Sequence, residues 1–403
     1  MKHVLQMAAV VVLLTGWAAC VDGREVTVRD AKTLRNELRR VRPGDTISLA
    51  PGNYGNGIWI ANISGTKEKP IVITGADERK RPVFAGGSEA IHLSDCNYVV
   101  LRNIIVSGCK GNGINADDGG SFDTPSRGMV FENITIEDIG PKGNRDGLKL
   151  SGLDNFAVRN CKLSGWGGSA IDMVGCHDGV IEKCSFIGKK GFSQSSGIQA
   201  KGGSENVLIQ RNFFKNAGGR AINLGGSTGL RFFRPKLRDY EARAIVVAGN
   251  HFVGSTAPIA YVTSIDCVVR RNTIIYPEKW VLRILQEQPT TKFKPCQKGT
   301  FENNLIVFDK RVRTFVNIGS NTRAETFSFG KNAWFCSDGR RRPSLPSKEI
   351  KGVYQVDPKL TGPETPDMKV RSKDPRLRDV GAGAYETKPA DTAPKARRRR
   401  DKP

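Results

Sequence analysis

Residues 195–226, SSGIQAKGGSENVLIQRNFFKNAGGRAINLGG, contain one complete structural phrase and the start of the next. GIQAK alternates apolar and polar residues, Gly202-Gly203 turns the chain, VLIQ is a second apolar run, Asn212 interrupts it, and AINLG alternates again. The phrase recurs every 22 to 38 residues from about residue 97 to about 335, as in NYVVLRNIIV, RGMVFENITI, DNFAVRNCKL, HDGVIEKCSF, DCVVRRNTII and KGTFENNLIV. A unit that short cannot bury its own apolar face and must stack on its neighbours, which makes a solenoid. The polar slot falls at Asn103, Asn133, Asn160, Lys183, Asn212, Asn250, Asn272, Asn304 and Asn332. Asn inside a strand-like run turns a corner and bonds backbone, so these residues are expected to form an asparagine ladder with a structural role.

The strand after each turn reads GINAD, GLKLS, AIDMV, GIQAK, AINLG, PIAYV, VLRIL and FVNIG. Alternation places Ile114, Leu148, Ile171, Ile198, Ile222, Ile259, Leu282 and Val316 in one internal stack. Their neighbours Asn115, Lys149, Asp172, Gln199, Asn223, Ala260, Arg283 and Asn317 then line an outer face, with rungs about 4.8 Å apart. The expected fold is all-β, a right-handed parallel β-helix. DAKTLRNELRR (30–40) reads as a capping helix with Asp30 at its N-terminus, covering open strand edges. GAGAYE (381–386) reads as a last strand.

The organisation expected is a signal segment over 1–23, a β-helix domain over 24–386 and a basic disordered tail over 387–403. MKHVLQMAAVVVLLTGWAAC has the charged start, short apolar stretch and small-residue end of an export signal, with cleavage near Cys20 to Gly23. Cys20 after Ala18-Ala19 also suggests a lipoprotein site, although Trp17 stands where an aliphatic residue is usual. Either reading puts the protein outside the cytoplasm: secreted, periplasmic or on the cell surface. No later segment is apolar enough to span a bilayer. The eight remaining Cys show no C-x-x-C spacing, which argues against zinc, and Cys161 and Cys184 on consecutive rungs read as packing residues.

Net charge is +23. Residues 1–23 carry one basic and one acidic residue, and the stretch from Glu386 onward seven and three, so +19 belongs to the body. A basic exported body points to a polyanionic partner; acidic polysaccharide is expected, nucleic acid is not, and the protein is expected to be a monomer.

The outer face carries the chemistry. Gln199 and Lys201 point outward, Lys201 enters the Gly202-Gly203 turn, and Arg220 opens the next rung's strand beside Asn223. A Lys base and an Arg that neutralises a C6 carboxylate are what β-elimination on a uronate requires. The other reading of the pair is two solvated cations. Asp146, Lys149 and Asp172 lie on consecutive rungs, and paired carboxylates could serve glycoside hydrolysis. STGLRFFRPKLRDYEAR (227–243) breaks the repeat; Arg231, Arg234 and Tyr240 within it could wall a sugar site, or its two Phe could pack on the solenoid. Asp117-Asp118-Gly119-Gly120 reads as a solvated loop or a cation site, His177 as a satisfied turn residue, and Arg283 as the end of a groove or a partner for Glu287.

NYGNGIWI, GTKEKPIVITG and the K-x-x-x-x-N-x-x-x-x-x-N run from Lys201 through Asn206 to Asn212 resemble the chondroitinase B and alginate lyase family of β-helical, pectate-lyase-like polysaccharide lyases. The resemblance covers about residues 25–335. It implies Lys201 as catalytic base, because the family's Lys closes a strand just before the turn to the Asn-bearing strand. Two features depart from the family. Its catalytic Arg lies in an L-R-H-G run where this chain has Leu224-Gly225-Gly226, so Arg220 would act from another direction. Its acidic calcium ligands fall where this chain has Gln194 and Ser196, so no cofactor is expected, calcium remaining the one candidate.

The reading is a polysaccharide lyase on an acidic polymer, with Lys201 and Arg220 catalytic and Lys149, Asp172, Gln199, Asn223, Arg231, Arg234, Tyr240 and Arg283 contacting substrate. A glycoside hydrolase, a uronate epimerase and a non-enzymatic glycan-binding solenoid stay open beside it.

Overall fold

The computed structural model describes residues 23–386; the segment expected to be an export signal, all but its last residue Gly23, and the basic tail expected over 387–403 lie outside the described residues. Three long parallel sheets of 12, 11 and 10 strands run the length of a right-handed β-helix. Each coil places one strand in each sheet, as in Val180–Glu182, Ser185–Ile187 and Ser196–Lys201. The period-2 pattern holds because one face of every strand is sealed inside the coil. Ile114, Leu148, Ile171, Ile198, Ile222, Ile259, Leu282 and Val316 pair in direct register down the third sheet and are all buried. Phe186, Phe214 and Phe252 stack at 4.7 Å between successive centroids on the second sheet.

In the early rungs the ladder position lies one residue beyond the one the repeat suggested, although Asn133 Nδ2 there still donates to Asn103 Oδ1 at 2.9 Å. Asn103, Asn133, Asn160 and Lys183 have positive φ and form the corner itself. The ladder position is the next residue, Ile104, Ile134, Cys161 and Cys184, and it becomes Asn from Asn212 onward. There the Asn212 backbone N–H donates to Asn250 Oδ1 at 2.9 Å, and the same bond repeats from Asn250 to Asn272, Asn272 to Asn304 and Asn304 to Asn332. Cys184 takes the place of an Asn, its N–H donating to Asn212 Oδ1 at 2.9 Å. All eight described cysteines are free and buried.

Helix Ala31–Leu38 covers the first rung with Leu34 and Leu38, and Asp30 accepts from the Thr33 N–H at 2.7 Å. After the repeat ends the chain returns along the outside of the first sheet. Residues 382–386 form a short helix and not the expected strand, because Tyr385 buries its ring against Leu208, Val246 and Ala248 and donates to Gln210 Oε1 at 2.6 Å. Gly249 makes room for that ring: a Cβ there would stand 2.2 Å from Tyr385.

Candidate functional site

The outer column of the third sheet runs Trp59, His92, Asn115, Lys149, Asp172, Gln199, Asn223, Ala260, Arg283, Asn317. Strand pairing brings the expected polar residues together at its centre as an alternating chain of charge. Lys149 Nζ lies 3.2 Å from Asp146 Oδ2 and 2.7 Å from Asp172 Oδ2, and Lys201 Nζ lies 3.0 Å from Asp172 Oδ1. Both carboxylates are sealed from solvent, whereas the lysine side chains keep 26% and 17% exposure. Lys201 also reaches Gln199 Oε1 at 3.3 Å, and its approach to Asp172 is off the angle of a hydrogen bond.

Burial and ion pairing act against each other on these groups. It raises the Asp146 carboxyl, and the charge of Asp172 raises it further. Burial would raise Asp172 as well, but the ammonium groups of Lys201 and Lys149 outweigh it and hold that carboxyl low. Lys149 titrates above its ordinary range, since Asp172 and Asp146 more than offset its burial.

One rung on, Arg220 bonds Asn223 Oδ1 at 3.2 Å and Glu287 Oε1 at 2.6 Å. Three of its five N–H donors stay uncommitted by these two bonds. Glu287 was expected to pair with Arg283 if it paired at all; Arg283 instead donates to Asn317 at 2.8 Å and lies over Trp280. Its guanidinium is made less basic by burial and then by the like charge of Arg220. The Gly226 backbone leans over the Lys strand: a Cβ there would lie 2.8 Å from Gln199 Nε2 and 3.3 Å from Lys201 Cδ.

The 227–243 insertion lies beside the turns that end these strands, and two of its three expected wall residues are committed elsewhere. Tyr240 is buried with its hydroxyl on Glu205 at 2.7 Å, which removes it from any sugar contact. Arg234 Nε bonds the buried Asp118 at 2.6 Å, over the Phe122 ring. Arg231 is exposed against Phe232, and Phe233 packs inward on Phe293. Asp117 and Asp118 are thus ion-pair members, with His92 and Arg234 respectively, while Gly119-Gly120 form an exposed turn. His177 is a satisfied turn residue, between Asp154 and the Gly203 carbonyl.

Sequence reasoning missed Glu241. It is fully buried and accepts from Gly202 N, Thr228 N and Thr228 Oγ1, each at 2.7 Å, and from Gln288. This clamp ties the insertion to the turn that carries Lys201. Its partners lie 13 to 47 residues away, beyond any local pattern.

Calcium does not fit the place where the resembling lyases bind it. Gln194 spends its amide on Lys189 and Phe192 backbone, and Ser196 is buried, so neither offers a carboxylate to a hard cation.

A coiled parallel sheet with charged groups on one outer face defines the class of right-handed parallel β-helix solenoids. The family model for the right handed beta helix region matches residues 89–274 and 146–308, together more than half of the chain, which belongs to that family. Residues 28–117 match the model for chondroitinase B. An alginate lyase from Paenibacillus sp. str. FPU-7 is similar at 18% identity and TM-score 0.51, covering 83% of this chain and 99% of that one. A PL6 family polysaccharide lyase from Pseudopedobacter saltans is similar at 15% identity and TM-score 0.54, covering 89% and 99%. A GH136 lacto-N-biosidase from Eubacterium ramulus is similar at 13% identity and TM-score 0.56, covering 83% and 68%. Identities this low establish the shared, polysaccharide-lyase-like fold. No curated protein matches the chain. No described helix is long and apolar enough to cross a membrane.

Proposed function

We propose that the protein is an exported polysaccharide lyase that cleaves a uronate-containing polymer by β-elimination. The observation that supports this reading is Lys201 Nζ: it stands at the outer face, 3.0 Å from Asp172 and one rung from Asn223 and Arg220. In the reaction Lys201, once its ammonium has given a proton to solvent, takes the C5 proton as the free amine. The C5–H electron pair becomes the C4–C5 double bond, the C4–O bond breaks, and the departing oxygen takes a proton from water. The free donors of Arg220 neutralise the C6 carboxylate, which makes the C5 proton acidic without a metal. Asp172, Asn223 and Lys149 act as positioning residues, while Gln199, Arg231 and Arg283 reach the sugar.

One observation favours a hydrolase: Asp146 and Asp172 have their acidities pushed apart, as an acid and base pair requires. Yet both are closed to solvent and bridged by Lys149, so neither can flank a glycosidic bond without a rearrangement. The lyase reading therefore ranks first.

The test is a screen of purified protein on uronate polymers, followed by the ultraviolet absorbance of unsaturated products. Lys201→Ala should lower turnover by roughly 10²–10⁴-fold, and Lys201→Arg should restore little. An active Lys201→Ala would refute the assignment. New reducing ends without absorbance would favour the hydrolase, and no turnover on any acidic polymer would favour a binding solenoid.

A further inference from the structure

Five rungs toward the N-terminal end from Gln199, the same outer column ends in a group that the chemistry above does not use. Trp59, at the outward position of the first strand in the sheet, keeps 59% of its surface exposed, although its neighbours Ile58 and Ile60 are buried. Its ring lies against the His92 imidazole, with centroids 4.2 Å apart. His92 cannot swing away: Nδ1 lies 2.8 Å from Glu89 Oε1 and Nε2 2.7 Å from Asp117 Oδ2. Asn115 bonds the other Glu89 oxygen, and Ser94 donates to Asp117 Oδ1 at 2.9 Å. The result is a tryptophan face propped from below on a braced imidazole, rimmed by carboxylate oxygens that retain lone pairs.

We propose that this platform is a distal subsite that stacks a pyranose ring lacking a carboxylate. An open indole face suits the C–H face of a sugar, and the Glu89 and Asp117 oxygens can accept from its hydroxyls. A uronate would bring its own carboxylate toward these acceptors. Arg35, on the capping helix beside this strand, turns toward the Asn56 and Gly57 carbonyls at 3.5 Å. At the opposite end of the column the free donors belong to Arg220 and Arg283, so the face is polarised, acceptor-rich at Trp59 and cationic beyond Lys201. The platform lies about 24 Å from the Lys201 rung, a span of several sugar rings. The polymer this face fits is therefore a heteropolysaccharide, uronate near Lys201 and neutral near Trp59. This inference rests on the carbohydrate reading of the face but not on the elimination chemistry.

Calorimetric titration separates the two. The probes are an octasaccharide alternating uronate with N-acetylhexosamine, an octasaccharide of uronate alone, and a uronate trisaccharide too short to span the gap. Lys201→Ala serves as the background, so that no probe is consumed. In that background Trp59→Ala should weaken the mixed octasaccharide by about tenfold, or about 1.4 kcal/mol, and Trp59→Phe by much less. The trisaccharide should be indifferent to both. Equal binding of the mixed octasaccharide with and without Trp59 would overturn the subsite, as would failure of the Lys201→Ala protein to bind it at all. An equal loss for the all-uronate chain would overturn the neutral-ring assignment. Binding that depends on Trp59, in a protein whose parent form turns over nothing, would support the subsite and sink only the lyase.

Discussion

Replacing Asp172 by Asn tests the charge chain at its centre. The carboxylate is sealed from solvent and holds two ammonium groups, Lys149 at 2.7 Å and Lys201 at 3.0 Å. Its lowered pKa follows from ion pairing with Lys201 and Lys149 that outweighs the desolvation of the charge. Asn keeps the shape but leaves two cations facing one buried anion, Asp146. Breaking a buried pair from one side costs about 3–5 kcal/mol. Unfolding entropy of about 2.1 cal/mol/K per residue, over residues 23–386, gives roughly 0.76 kcal/mol/K for the body. The melting temperature should then fall by about 4–7 °C. The assay is a thermal melt at neutral pH by far-ultraviolet dichroism and calorimetry, parent beside variant. Adding Lys201→Met to Asp172→Asn leaves Asp146 and Lys149 as a balanced pair, so it should recover at least half of the loss. A single variant melting within 1 °C of the parent would show that the carboxylate is hydrated and the buried-charge reasoning wrong. A double variant with no recovery would show that the loss comes from shape and not from charge.

Ile198→Asp would place an unpaired charge in the internal stack and should cost several kcal/mol, so a soluble variant with an unchanged melting temperature would contradict the register. Burial works to lower the His92 pKa, but its bonds to Asp117 and Glu89 raise it from 6.5 to about 9. Its stabilising effect is therefore complete below pH 6.5 and fades as pH rises through about 9; His92→Gln should flatten the melting temperature over that window, and an unchanged slope would refute the pairing. Gly226→Ala should displace Gln199 and Lys201, lowering turnover by roughly 10–100-fold while the melting temperature barely moves. Full activity in that variant would mean that the Gly226 backbone does not shape the site.

The internal stack was legible because a sealed coil enforces strict alternation: Ile114 through Val316 could be read residue by residue. The ladder was legible only in its second half. Asn suits both a left-handed corner and a ladder, so Asn103, Asn133 and Asn160 imitate a slot that Ile104, Ile134 and Cys161 occupy. Lys149, Asp172 and Lys201 share a face for the same reason the core does, and period 2 found them. What period 2 could not supply was their partners. Glu287 reaches Arg220 across 67 residues and Asp118 reaches Arg234 across 116, through loops whose path carries no periodicity. Tyr240 looked like a wall because aromatic rings in insertions serve either purpose, and only Glu205 decides which.

The return of the chain along the first sheet changes how the solenoid comes apart. In a stack where each coil touches only the next, the last coil can peel away alone and the rest follow like an opening zipper. Here Tyr385 is fastened to Gln210, 175 residues earlier and in the middle of the stack, and Ala382 to Thr273 on the way. The clasp joins the loose end to the body, so fraying the final coils means first releasing the centre. A structure built as a one-dimensional pile thereby gains the all-or-none opening of a globular domain.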